Sequence, residues 1–233
     1  MLISWVQKTT LLDYPGHLAT IMFTPGCNFR CGFCHNAEFV LPEKLKDTVD
    51  DLIPEEAFLN FLKTRIGFLD GVVICGWEPT LQPDILEFMG KIKHMGFLVK
   101  LDTNGWNPSI LREAIEKWLV DYVAMDFKHV PEKYHTVAGV QVDIEKFLES
   151  VKILLESNID YEFRTTVIDG HHTMMDIENI ARIISGARHY YLQNYKAGKT
   201  LDPKFHGRSF LSRDILQLKK IAQKYIKNVQ IRM

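Results

Sequence analysis

The stretch PGCNFRCGFCHN, residues 25–36, places three of the chain's four cysteines, Cys27, Cys31 and Cys34, within eight positions. It follows the apolar and β-branched run HLATIMFT, residues 17–24, so the cysteines fall at the carboxyl end of a predicted strand. Three thiols crowded into one loop make a poor disulfide framework for a chain of 233 residues. They suit metal or redox chemistry in a reducing compartment.

Outward from that loop, strand-like runs recur at 71–75, 97–102, 121–127, 159–168 and 188–194. Helical patterns separate them. Pro83 sits where a first helical turn accepts it, before Ile85, Phe88, Met89, Ile92 and Met95, and Gly96 ends that run. Asn107 is the predicted cap of a helix opened by Pro108, with Leu111, Ile115 and Trp118 on one face. Ile144, Phe147, Leu148 and Val151 mark another, and Ile177, Ile180, Ala181 and Ile184, closed by Gly186, a further one. Ser212 is the expected cap of a last helix carrying Ile215, Leu218 and Tyr225. Regular β-α alternation implies parallel strands with right-handed crossovers. Six such units are fewer than the eight of a closed barrel, so the expected fold is α/β, a partial, open (βα)6 TIM-like barrel forming one domain over residues 1–233. Segments 40–53, 129–141 and 195–210 are the expected flexible pieces.

Composition excludes several classes of function. A chain 46% hydrophobic and 24% charged can bury a full core. A formal charge of -1, from 28 basic and 29 acidic residues, gives no global bias towards nucleic acid or membrane. The longest apolar run near the start, Leu18 to Phe23, is too short to span a bilayer, and Met1 to Thr10 lacks a basic region followed by a signal-peptide core. The expected location is the cytoplasm.

Parallel β/α folds carry their chemistry in the loops at the carboxyl ends of the strands. Gly76, Trp77, Glu78 and Pro79 follow the second predicted strand, Asp102, Thr103, Asn104 and Gly105 the third, and Asp126 and Lys128 the fourth. Arg164 and Thr166 lie within the fifth, and Gln193, Asn194 and Lys196 end the sixth. Strand ends gather polar turn residues anyway, but here every polar cluster falls on one rim with the cysteines. Four cargoes compete for the thiols: zinc, with Cys75 or His35 as fourth ligand; haem, through the C-x-x-C-H of residues 31–35; a redox dithiol; or an iron-sulfur cluster. A redox dithiol leaves Cys27 idle, whereas an iron-sulfur cluster uses all three thiolates, and three alone would leave one iron with an open position.

The run Cys27-Asn-Phe-Arg-Cys31-Gly-Phe-Cys34 is the C-x-x-x-C-x-aromatic-C signature and resembles the radical S-adenosylmethionine (SAM) enzymes. The resemblance implies a 4Fe-4S cluster on Cys27, Cys31 and Cys34, whose unique iron is chelated by the amino and carboxylate groups of SAM. One electron would then cleave the sulfonium to methionine and a deoxyadenosyl radical. Phe33, just before Cys34, is the candidate to pack beside the adenine, with a place in the apolar core as its competing role. Gly76-Trp77-Glu78-Pro79 resembles the family's G-G-E-P motif, with Glu78 as ligand of the methionine amine, and Trp77 stands where the family has a second glycine. Asp102 and Asn104 look like ribose contacts, Asp126 and Lys128 resemble the family's Asp-x-Lys, and Arg164 is positioned to pair with a carboxylate. The competing reading of these charges is an internal ion-pair network. Cys75 is expected to be a small buried residue outside the cluster.

Thr10-Leu-Leu-Asp-Tyr-Pro-Gly16, Thr24-Pro-Gly-Cys27 and Cys34-His-Asn36 resemble the activating enzymes of glycyl-radical proteins, those of anaerobic ribonucleoside-triphosphate reductase most closely. Glu78-Pro-Thr-Leu-Gln82, Asp102-Thr-Asn-Gly105, Met125-Asp-Phe-Lys128 and Gln193-Asn-Tyr-Lys-Ala-Gly198 extend the likeness. It implies a radical SAM oxidoreductase that abstracts a hydrogen from a backbone glycine of a partner, served by a flavodoxin- or ferredoxin-like reductant. The alternatives are a radical SAM enzyme acting on a small molecule, such as a deazapurine precursor, and a non-catalytic iron-sulfur electron carrier.

Overall fold

The computed structural model describes residues 1–35, 40 and 52–233; Asn36 and most of the segment 40–53 lie outside the described residues. Packing divides the chain into two compact units, Met1–Asn28 with Glu38–Ala124, and Phe29–Ala37 with Met125–Met233.

The first unit contains β1 (Trp5–Thr10), β2 (Ala19–Thr24), α1 (Glu55–Lys63), β3 (Gly71–Gly76), α2 (Ile85–His94), β4 (Leu98–Thr103) and α3 (Pro108–Glu116), and ends within β5 (Tyr122–Asp126). Strand β1 pairs antiparallel with β2, whereas β2, β3 and β4 run parallel. Buried on both faces, β3 reads as the continuous apolar run expected of a parallel strand. The register sets Ala19 against Gly71 and Thr24 against Gly76, so the chain leaves β2 and β3 side by side at their carboxyl ends. Helix α2 lays Ile85, Phe88, Met89 and Ile92 into the core. The predicted cap of α3 is present, with Asn107 Oδ1 accepting from the Ile110 N–H at 3.4 Å and Pro108 opening the helix.

The second unit contains the end of β5, α4 (Tyr134–Ala138), α5 (Ile144–Glu156), β6 (Asp160–Val167), α6 (Met174–Ile183), β7 (Tyr190–Asn194), α7 (Ser212–Ala222) and β8 (Val229–Arg232). Strands β6, β7 and β8 are parallel. Helix α6 starts with a reciprocal capping box, Thr173 and Asp176 each bonding the other's backbone N–H. Buried Phe127, Tyr134 and Phe147 form an aromatic core, with Phe127 edge-on to Phe147 at 4.8 Å.

Several expectations need correction. Two further strands, β1 and β8, join the six predicted. Strand β1 is a half-exposed antiparallel edge without clear alternation, and β8 has only four residues. Pro83 lies in the turn ahead of α2, which begins at Ile85. Trp118 lies past the end of α3, exposed and at φ 55°, and Tyr225 lies past the end of α7. Ser212 is the first helical residue of α7, and Leu211, which has no side-chain bond, holds the cap position. Residues 129–141 are a folded segment and not a solvated loop: they contain a 3-10 turn at Pro131–Lys133 and α4, and bury His129, Val130, Tyr134, Val137 and Ala138.

Candidate active site

In the first unit the glycine of the β3 loop is required. Gly76 has φ 124°, and a Cβ there would lie 2.4 Å from the Thr24 backbone. Trp77 stays outside the positive-φ region, where Trp118 is the one non-glycine residue described. The family's second glycine is thus replaced without backbone strain. Glu78 is fully buried. Its Oε1 accepts from the Thr80 N–H at 3.1 Å, the Thr80 hydroxyl at 2.5 Å and the Thr103 hydroxyl at 2.8 Å. Its Oε2 accepts from the Asn104 N–H at 2.6 Å. Burial pushes its carboxyl up, opposed by these donors. Each carboxylate oxygen offers about two lone-pair sites, so Oε1 is filled and Oε2, with a single donor, keeps capacity for a further one.

Asp102 bonds Lys100, which is buried beside the Tyr122 ring at 5.9 Å. Asn104 bonds through its side chain to Asn28, Nδ2 to Oδ1 at 2.8 Å. Gln82 Nε2 donates to the Pro25 carbonyl at 3.1 Å and the Glu78 N–H to Gly26 at 3.1 Å, so the β3 loop holds the chain just before Cys27. Cys75 is half-buried and packs against the cluster that contains Tyr14 and Ile21.

In the second unit the cysteine loop is held from two sides. The Arg30 N–H donates to the Ala138 carbonyl at 2.7 Å, and a Cβ on Gly139, at φ 68°, would strike Arg30. From residues 195–210, the Leu201 N–H donates to Cys34 O at 2.7 Å and the Asp202 N–H to Gly32 O at 3.1 Å. Phe205 packs near the rings of Phe33, Tyr195 and His171. Phe33, Cys34, Thr166, Gln193, Tyr195 and Lys196 line a cleft of about 320 Å³.

Asp126, Lys128 and Arg164 come together: Asp126 Oδ2 lies 3.0 Å from Lys128 Nζ and Oδ1 2.9 Å from Arg164 Nε. Burial raises the Asp126 carboxyl, but the two cations overcome it and hold the group at about 2. Cys31 is buried; desolvation pushes its thiol up to about 11 against the pull of Lys128. Strand β6 carries Glu162, Arg164 and Thr166 at alternate positions, and Glu162 is bidentate with Arg232 at 2.9 and 3.0 Å.

The donor set fits an iron-sulfur cluster. Cys27, Cys31 and Cys34 form no disulfide, and Asn28 Nδ2 is buried without a hydrogen-bond partner among the described residues. Among those residues no three His, Cys, Asp or Glu side chains converge on one metal ion; a cluster, which offers each thiolate its own iron, does not ask for that.

Residues 21–184 match the radical SAM superfamily. The chain belongs to the radical SAM superfamily. A Methanocaldococcus jannaschii protein assigned as a glycyl-radical enzyme activating enzyme is 35% identical over 237 residues, spanning 99% of this chain and 95% of its own, which places the chain in the glycyl-radical activase family. Pyruvate formate-lyase 1-activating enzyme of Escherichia coli K12 is 31% identical over 166 residues, covering 68% of this chain and 64% of that one. Streptococcus suis SuiB bound to its precursor peptide SuiA shares the fold, with a TM-score of 0.69 at 16% identity over 91% of this chain and 48% of that chain.

Membership in the radical SAM superfamily gives the α/β, partial, open (βα)-barrel arrangement expected from the alternation of elements. It also makes the protein an oxidoreductase that binds a 4Fe-4S cluster and SAM and forms a radical on its substrate by SAM cleavage. No described helix is long and apolar enough to cross a membrane.

Thr80 and Thr103 lie in the quoted runs with no role expected there, and Asn28, Lys100, Glu162 and Arg232 carry contacts that no expected site includes. Polar residues at period two along β6 were a legible signal, since a doubly buried strand has no solvent face to excuse them. The Glu78 cradle had no such signal, because its donors come from two separate loops.

Proposed function

We propose that the protein is the activating enzyme of a glycyl-radical protein, with anaerobic ribonucleoside-triphosphate reductase as the partner. The likeness to the Methanocaldococcus jannaschii activating enzyme across nearly all of both chains carries this reading. The choice of partner rests on Thr10-Leu-Leu-Asp-Tyr-Pro-Gly16 and Gln193-Asn-Tyr-Lys-Ala-Gly198. Cys27, Cys31 and Cys34 hold the cluster. When bound, and reduced by a flavodoxin- or ferredoxin-like protein, the cluster supplies the electron that cleaves SAM, and the adenosyl fragment takes a hydrogen atom from one glycine. Gly76 lets the backbone approach the SAM methionine, Trp77 offers its carbonyl, and Glu78, fixed by Thr80 and Thr103, directs Oε2 to the amine. Asp102 and Asn104 serve the ribose and Phe33 the adenine. Arg164 and Lys128, paired with Asp126, place positive charge where a carboxylate is bound. The cleft bordered by Gln193 and Lys196 suits an extended peptide, because a side-chain amide both donates to and accepts from a backbone.

The test is anaerobic reconstitution with SAM, reductant and the reductase, following deoxyadenosine and the glycyl signal by electron paramagnetic resonance. Formation of both supports the proposal. Deoxyadenosine with no glycyl signal across glycyl-radical partners, together with turnover of a purine precursor, would replace it with the small-molecule reading.

A further inference from the structure

We infer that Asn28 is a positioning residue whose Nδ2 donates a hydrogen bond to a sulfur of the cluster at Cys27 and so eases reduction of that cluster. This rests on the assignment of Cys27 to the cluster made above.

The orientation of the amide follows from a chain of donors. The Trp106 N–H can only donate, and it points at an Asn104 side-chain atom 3.0 Å away, which must therefore be Oδ1. The other terminal atom of Asn104 is then Nδ2, which donates over 2.8 Å to Asn28, so the receiving atom is Asn28 Oδ1. That leaves Asn28 Nδ2 as the buried atom for which nothing among the described residues accepts a hydrogen. Flipping Asn28 would set two amide nitrogens against each other. A buried donor left unpaired is costly, and folds seldom keep one without a use.

The position indicates the missing acceptor. Asn28 follows Cys27 in the chain, and Asn28 Oδ1 lies 4.0 Å from Cys27 Sγ. A cluster held at Cys27 brings negatively polarised sulfur to the neighbourhood of this amide, whereas burial denies it water. An N–H donated to cluster sulfur stabilises the extra negative charge of the reduced state and raises the potential. The same Asn28–Asn104 link leads to Glu78 through the Asn104 N–H, so the donor is tied to the loop that holds the SAM side of the site.

The experiment compares the reconstituted wild-type protein with Asn28→Ala and with Asn28→Leu, which keeps nearly the same shape without donor or acceptor. Iron and sulfide are counted first: a wild-type protein that binds no cluster, or a Cys27→Ala variant that retains it, refutes the Cys27 assignment and this inference with it. With cluster content equal, reduction is titrated without SAM. The variants should be harder to reduce, the reduction constant falling about tenfold, which is about 59 mV for one electron. In wild-type protein labelled with asparagine carrying 15N only in the side-chain amide, pulsed electron paramagnetic resonance of the reduced cluster should show a 15N coupling that the variants lose. Unchanged potential in both variants at full cluster content would overturn the inference. So would a wild-type protein without the coupling, or a coupling that appears only after SAM is added, since the donor would then serve SAM. If neither variant binds a cluster, the wild-type coupling decides.

Discussion

Glu78 illustrates how one buried carboxylate can fix two loops. Thr80 belongs to its own loop, whereas Thr103 and Asn104 lie 25 and 26 residues further on, and all three donate to it. Glu78→Gln would turn an amide NH2 towards at least one of these donors whichever way it rotates. The expected loss of stability is about 1–3 kcal/mol, read by denaturant unfolding without cofactors. An unchanged unfolding midpoint would show that the donors do not close on this carboxylate in solution. Gly76 and Trp77 make a contrasting pair. Gly76→Ala places a methyl against Thr24 at a backbone conformation unsuited to alanine, so it should fail to fold or lose SAM binding. Trp77→Gly removes no strain and should leave stability within about 1 kcal/mol apart from lost ring packing. Gly76→Ala as stable as wild type, or Trp77→Gly strongly stabilised, would reverse that assignment of the glycine requirement.

At the level of elements, the cysteine loop depends on the segments after β5 and β7. Phe205 is the apolar anchor of the second, beside Phe33 and Tyr195. Being half-buried, it should cost about 2 kcal/mol on replacement by Ala, near half the loss of a core phenylalanine. Hydrogen exchange at the Leu201 and Asp202 amides should accelerate in Phe205→Ala, and protection equal to wild type would show that the strap holds without its anchor. The segments after β5 and β6 are joined by stacked histidines, His129 and His172, 4.5 Å apart. His172 Nδ1 accepts from the Ile168 N–H and Nε2 donates to the Lys128 carbonyl, so the neutral ring fits both neighbours. Burial, then the adjacent His129, holds it at about 4, against which Asp176 is a weak opposing charge and His171 adds to the lowering. A histidine with a depressed folded value favours the folded state fully only above its unfolded value of about 6.5. As pH falls from about 6.5 to 4 the unfolded chain binds the proton first, and stability should drop by up to about 3 kcal/mol. Unfolding measured at pH 7 and pH 4.5 should show this drop, reduced in His172→Gln. Equal pH responses would remove His172 as the cause.

For the molecule as a whole, the cluster assignment separates the four cysteines by where the fold puts them. Cys27, Cys31 and Cys34 share one loop, whereas Cys75 lies on β3 against the Tyr14 and Ile21 cluster. Each of Cys27→Ala, Cys31→Ala and Cys34→Ala should abolish the oxygen-sensitive cluster, and Cys75→Ala should retain it at the cost of some packing. Iron and sulfide analysis after anaerobic reconstitution reads both outcomes. Retention in Cys31→Ala, or loss in Cys75→Ala, would refute the assignment.

The sequence by itself determined what depends on neighbours along the chain. Parallel strand runs, the face of α2, the Asn107 cap of α3 and the three-thiol loop with its family signature were all legible, because periodicity, capping and spacing act over a few residues. Strand β1 was not legible, since a half-exposed edge gains its order from pairing with β2, and four residues of β8 are too short for a period. Tertiary structure alone decided where the polar atoms close. The Glu78 cradle, the Asp126–Lys128–Arg164 cluster, the Asn28 donor and the hold of residues 129–141 and 195–210 on the cysteine loop all depend on partners distant in sequence. A hydrogen bond needs its partner within about 3 Å, and across such separations only strand register and loop path bring that partner there.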